Sequence, residues 1–82
     1  MASDSGIHEQ ISALVSEEKR LREQLQAREI SPQEEQARLR DVEVLLDQCW
    51  DLLRQREALR DGGSDPDQAA VRPASEVEGY LQ

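Results

Sequence analysis

The sequence predicts an all-α protein: an antiparallel two-helix hairpin of coiled-coil type with a short, partly ordered C-terminal tail. Two heptad stripes and one capped turn predict it. Ile7, Ile11, Leu14, Glu18, Leu21 and Leu25 are spaced by alternating fours and threes, and so are Leu39, Val42, Leu46, Cys49 and Leu53. The stripes mirror each other about residue 30. Folding the chain there sets Leu21 against Leu39, Glu18 against Val42, Leu14 against Leu46, Ile11 against Cys49 and Ile7 against Leu53. Between the stripes, Ser31-Pro32-Gln33-Glu34 is a capping box with proline at the first helical position.

Residues 1–4 are expected to be an N-terminal extension, and residues 5–61 the hairpin. Its first helix spans about 5–28, with Asp4 or Ser5 as the cap and Lys19, Arg20, Arg22 and Arg28 complementing the macrodipole toward its end. The second spans about 32–60. There the Ser31 hydroxyl is expected to accept from the Glu34 amide, while the Glu34 side chain reaches back to the cap. Arg54, Arg56 and Arg60 suit its C-terminal end, and Gly62-Gly63 is the stop. At ~1.5 Å per residue the two arms are roughly 35 and 45 Å long. Residues 62–82 form a flexible linker and tail. Arg72-Pro73 interrupts that tail, and Ser75-Glu76-Val77-Glu78 is able to cap a last turn that gathers Val77, Tyr80 and Leu81.

A chain of 82 residues with one seam buries little apolar surface, so disulfides, a metal or a second chain are the usual supports. Cys49 is the only cysteine and His8 the only histidine, which rules out an internal disulfide and a zinc site of the usual ligands. No metal and no cofactor are expected, and oligomerisation or a protein partner is what remains. With 18 acidic against 10 basic residues the net charge is −8. That balance argues against direct contact with nucleic acid or anionic lipid, both of which need a positive footprint. No segment has the length of a bilayer span or the pattern of a secretory signal, so a cytoplasmic location is expected.

Beside its seam the second helix carries Leu45, Leu52 and Leu59 at seven-residue intervals on one flank and Trp50 on the other. This widens its apolar arc beyond what one neighbour covers. Either the tail folds back so that Val71, Val77, Tyr80 and Leu81 lie on the leucine row, or a second copy packs there in a four-helix bundle. Leu45, Trp50, Leu52, Leu59, Val77, Tyr80 and Leu81 are therefore the interface candidates. Cys49 falls on the seam as a small apolar filler, and its acidic neighbours would raise the thiol pKa, against a catalytic role. The acids Glu17, Glu18, Glu34, Glu35, Asp41, Glu43, Asp47 and Asp51 read as solvated or register-setting, with Arg22 the partner of Glu18. Glu29, Ile30, Glu34 and Glu35 form the hairpin tip. In shape only, that tip resembles the acidic-tipped coiled-coil factors that enter the secondary channel of bacterial RNA polymerase.

The run Leu46-Asp47-Gln48-Cys49-Trp50-Asp51-Leu52-Leu53-Arg54-Gln55-Arg56 is joined by Leu-Val-Ser-Glu-Glu at 14–18, Ser31-Pro32, Asp65-Pro66 and Val71-Arg72-Pro73. With the ending Val77-Glu78-Gly79-Tyr80-Leu81-Gln82, it is similar to a small actinobacterial family known only as a domain of unknown function. The similarity covers about residues 7–82 and brings no activity, cofactor or partner with it. It implies a bacterial cytoplasmic protein that stands alone, with the tail an integral part. It also implies a glycine-containing step at the turn, where this chain has Arg28-Glu29, a departure expected to tighten or lengthen the first helix.

These readings converge on a non-catalytic helical interaction protein that self-associates as a homodimer or docks on a cytoplasmic protein. No catalytic residue and no small-molecule substrate are expected. The alternative is a regulator of the transcription or translation machinery acting through the acidic tip.

Overall fold

The computed structural model describes the backbone of residues 3–81 and the side chains of residues 3–78. Three α-helices and one 3-10 turn follow one another: α1 (Asp4–Gln26), α2 (Pro32–Asp61), the 3-10 turn Pro66–Gln68 and α3 (Ala74–Leu81). The described residues contain no strand, so the architecture is all-helical, with two long helices and one short one.

Capping chemistry explains the helix ends. Ser3, rather than Asp4 or Ser5, caps α1, its hydroxyl accepting from the Gly6 amide at 3.1 Å. Asp4 is instead the first helical residue, and its carboxylate is drawn across to Arg56 and Arg60 on α2 at 2.6 and 2.8 Å. α1 stops at Gln26, two residues before the expected end. The Arg28 amide donates to the Leu25 carbonyl and the Glu29 amide to the Gln24 carbonyl, at 3.0 and 2.8 Å, while Arg28 turns left-handed with φ 59°. This is a Schellman stop, the arrangement that favours glycine at the residue Arg28 occupies. The departure at Arg28-Glu29 thus neither lengthens α1 nor prevents the turn. It places a side chain on a backbone conformation that costs about 1–2 kcal/mol for an L-residue. α2 ends in the same motif with a glycine in place: Gly63 has φ 78°, and Ser64 donates to the Leu59 carbonyl at 2.7 Å.

At the start of α2, Ser31 accepts from the Glu34 amide at 3.0 Å as expected. The return half of the capping box is replaced by an ion pair of Glu34 with Arg38 at 3.1 Å, one helical turn on. Glu18 is paired with Arg22 at 3.6 Å, so the acid in the first stripe keeps a cation beside it at the edge of the seam.

Packing joins the beginning of α1 to the later half of α2. Ile7 and Ile11 are buried with Cys49 and Leu52, and Leu14, Leu46, Leu53 and Ala69 pack against that cluster. Leu21 and Val42 are buried further along. The leucine row read from the sequence is therefore broken. Leu52 lies inside the core, three residues past Cys49 on the same arc of the helix and within reach of Ala69 from the tail. Leu45 stays 44 % exposed and Leu59 is half-buried. The tail returns along α2, where the 3-10 turn and α3 both lie against it.

Candidate interaction surfaces

Beside the apolar packing of Ala69 and Val77, the tail meets α2 through polar contacts. Gln48, Asp51 and Gln55 follow one another at intervals of three and four residues, which puts them on one face of α2. Gln55 Nε2 donates to the Ala70 carbonyl at 2.8 Å, and Gln48 Nε2 donates to the Arg72 carbonyl at 3.1 Å. Between them Asp51, 1 % exposed, receives the Arg72 guanidinium with both oxygens: Nε donates to Oδ2 at 2.9 Å and Nη2 to Oδ1. Gln55 Nε2 also donates to Asp51 Oδ2 at 2.9 Å. The Arg72 guanidinium, with help from Gln55, holds the Asp51 carboxyl below its ordinary 3.8 even though burial pushes the other way.

One turn further along, buried Arg56 ties three segments together. Its Nε donates to Asp4 of α1 at 2.6 Å, and its Nη1 donates to the Pro66 carbonyl at 3.2 Å and to Asp67 at 3.1 Å. Arg56, then Arg60, depress the Asp4 carboxyl, while Asp4 and then Asp67 keep Arg56 charged. Asp51, expected from the sequence to be solvated or register-setting, is buried and paired with Arg72, and Arg56 does more than complement a helix dipole. The signal that was available is the polar i, i+3, i+7 row of Gln48, Asp51 and Gln55 beside the seam, opposite an arginine that precedes a proline. No propensity rule names which arginine answers which acid.

Among the described residues, apolar side chains stay exposed on both flanks of α2 beside the docked tail. On one flank of α2, Trp50 is 46 % exposed. The His8 ring of α1 meets it edge to face, with centroids 6.4 Å apart and planes at 77°. These rings stand in an open cleft of about 540 Å³ whose rim alternates in charge: Asp4, Glu57 and Asp61 against Arg54 and Arg60. On the other flank, Leu45 and Val71 border a hollow of about 110 Å³ lined by Gln10, Gln48, Cys49 and Leu52. Val71 lies beside Leu45 and Leu52 of the leucine row, the place expected of it if the tail folds back, yet it stays 63 % exposed while its neighbour Arg72 is engaged by Asp51.

Among the interface candidates, Trp50 and Leu45 are on the surface, Leu59 is half-buried, and Leu52 and Val77 are enclosed by the chain's own packing. Val77 is 1 % exposed on α3. The side chains of Tyr80 and Leu81 lie outside the described residues. At the turn between α1 and α2, Glu29 and Glu34 are exposed and Ile30 and Glu35 half-buried, with Glu34 held by Arg38. Among the described residues, no group of three or more histidine, cysteine, aspartate or glutamate side chains is placed to hold a metal ion. Burial alone pushes the Cys49 thiol up, so the direction expected from its acidic neighbours has a different cause. No helix of the described residues is long and apolar enough to cross a membrane.

Comparison with known proteins places these features in a family without an assigned role. Residues 3–82 match the family model described as "Protein of unknown function (DUF2630)". The uncharacterized proteins Rv0898c of Mycobacterium tuberculosis and Mb0922c of Mycobacterium bovis are each 59% identical over 78 residues, covering 95% of this chain and 90% of theirs. No solved structure matches the chain. The similarity in sequence motifs and the match across almost the whole length lead to one conclusion: the chain belongs to the DUF2630 family.

Proposed function

We propose that this protein is a non-catalytic interaction module of the cytoplasm, built on an antiparallel helical hairpin of coiled-coil type, that acts by binding protein surfaces. It either self-associates or docks on another protein, and the Trp50 flank of α2 is the contact. One observation carries the reading: with the tail already seated on α2, Trp50 remains 46 % exposed in a cleft beside His8. A large aromatic side chain, half exposed in a cleft lined by charges of both signs, is the composition of an interface anchor with a polar rim. The excess of acid over base favours a partner whose contacting surface is basic at its margins.

Site-specific photo-crosslinking tests it. A photoreactive phenylalanine analogue is placed at position 50 of the full chain in its native host, with a second chain carrying it at Val15, exposed to 50 %, as the control. A product at position 50 of twice the chain mass means self-association, and a heavier defined product means a separate partner. If position 50 gives no product beyond those at position 15, the Trp50 flank is not an interface and the reading fails.

A further inference from the structure

The tail lies on α2 as a ligand lies in a site. Gln55 brackets Ala70, its side-chain amide donating to the Ala70 carbonyl at 2.8 Å and accepting from the Ala70 N–H at 3.4 Å. Gln48 donates to the Arg72 carbonyl at 3.1 Å, and Asp51 takes the Arg72 guanidinium with both oxygens. The row thus reads the main chain at two residues and one side chain, while Ala70, Val71 and Pro73 keep exposed side chains. Such chemistry selects a non-helical segment with an arginine two residues after the bracketed amide. The covalent link to this segment is short. Residues 62–65 alone join α2 to the 3-10 turn, and the chain reverses there through Gly63, left-handed at φ 78°. A Cβ on Gly63 would meet nothing within 4 Å, so the link has open space in which to take another path.

We propose that Gln48, Asp51 and Gln55 form an exchangeable recognition site whose second ligand is the tail of another copy of this chain. The occupant is a second copy because the segment that satisfies the row, Ala70 to Arg72, is carried by every copy. With the link opened at Gly63, residues 66–81 of one chain seat on α2 of the next, and the tail of that chain returns the contact. The 3-10 turn and α3 both pack on α2, so they travel with the segment and find the same surface on the partner. Asp67 then reaches the partner's copy of the buried Arg56 as it reaches its own. A closed pair makes each of these bonds once per chain, as the single chain does, and concentration sets the balance between the two forms. A small hairpin with one apolar seam is also the kind of scaffold that a second chain supports. The exchange stands apart from the Trp50 reading, since the row shares no residue with the lining of that cleft.

Two matched variants of the full chain test the exchange. Asp51→Leu keeps the arginine and loses its acid, and Arg72→Leu keeps the acid and loses its arginine. Each alone has a mismatched site, whether its tail seats on its own α2 or on that of an identical copy. Mixed, the two chains build by exchange one site with Asp51 and Arg72 and one with two leucines, so that both sites match. Native mass spectrometry of the equimolar mixture, with one chain isotope-labelled, is expected to show a mixed dimer of twice the chain mass, several-fold in excess of its statistical share. A mixture that stays as two monomers overturns the exchange. Dimers in statistical proportion overturn it too, because that is the result of contact through another surface such as the Trp50 flank. A second variant leaves no buried acid without its partner. Removing Gly63 and Ser64 from the native sequence takes away the reversal that returns the tail to its own α2, and is expected to turn the chain into a dimer in sedimentation equilibrium. A shortened chain that remains a monomer overturns the exchange as well.

Discussion

On the side of α2 that faces α1, the buried cluster consists of Ile7, Ile11, Cys49 and Leu52, whereas the surface that meets the tail buries, beside Val77 of α3, the charged Asp51 and Arg56, the latter also reaching Asp4 of α1. The first contact gains with area and is indifferent to pairing. The second depends on both members of each pair being present, because an ion left buried alone keeps its desolvation cost and loses its attraction. The difference teaches where the molecule is graded and where it is all-or-none. Substitutions in the seam should weaken it in proportion to volume lost, and substitutions in the clasp should depend on whether one partner or both are removed.

The seam side is probed most strongly at Leu21, which is fully buried. Leu21→Ala is expected to lower unfolding stability by about 3 kcal/mol, read from the urea midpoint at unchanged slope. A loss below about 1 kcal/mol would mean that the seam near the turn collapses around the cavity and is not the rigid half of the comparison.

The clasp side is probed by a single and a double change. Arg72→Ala leaves the Asp51 carboxylate buried without its guanidinium, with a loss of about 2 kcal/mol in the same urea experiment, moderated by the partial exposure of Arg72. The pair Asp51→Leu with Arg72→Leu removes both charges and is expected to lie within about 1 kcal/mol of the native chain. Equal losses for the single and the double change would show that the clasp, too, is graded. Acid gives an independent reading. Asp51 is depressed from 3.8, so the clasp contributes its stability above that value and loses it as the pH falls through the depressed one. Arg72→Ala should remove that acid-side loss from the pH profile of the urea midpoint.

The smallest effects compare the two helix stops. Gly63, at φ 78°, should cost about 1 kcal/mol when replaced by alanine. Arg28, at φ 59°, should gain about 0.5 kcal/mol when replaced by glycine, the relief of a left-handed side chain being partly offset by the freer unfolded chain. Thermal melting of the two variants checks the opposite signs. If both changes destabilise, the Arg28 side chain contributes something at the turn that outweighs its backbone cost.

The two long helices were legible because their determinants are local or periodic. Ser31 and Pro32 start α2, Gly62 and Gly63 stop it, and the recurrence of Ile7, Ile11, Cys49 and Leu53 identifies the residues that share a core. Even there the ends moved where a distant charge intervened. Asp4 gave up the role of cap because Arg56 and Arg60 lie beside it, leaving Ser3 to take it. Trp50 and Leu45 could be named as surface residues from their place beside the seam, but Leu52 could not be separated from them. Whether a flanking leucine is covered depends on where Ala69 comes to rest.

Periodicity along the chain suffices to write down which residues are helical and which face of each helix is apolar, since both follow from the 3.6-residue repeat and from capping groups a few residues away. It has no means of choosing among 18 acids and 10 bases. The bond from Arg72 to Asp51 closes over 21 residues and that from Arg56 to Asp4 over 52. Each exists only because packing first brings the backbones together and removes water, which makes a charge without a partner too costly to leave there.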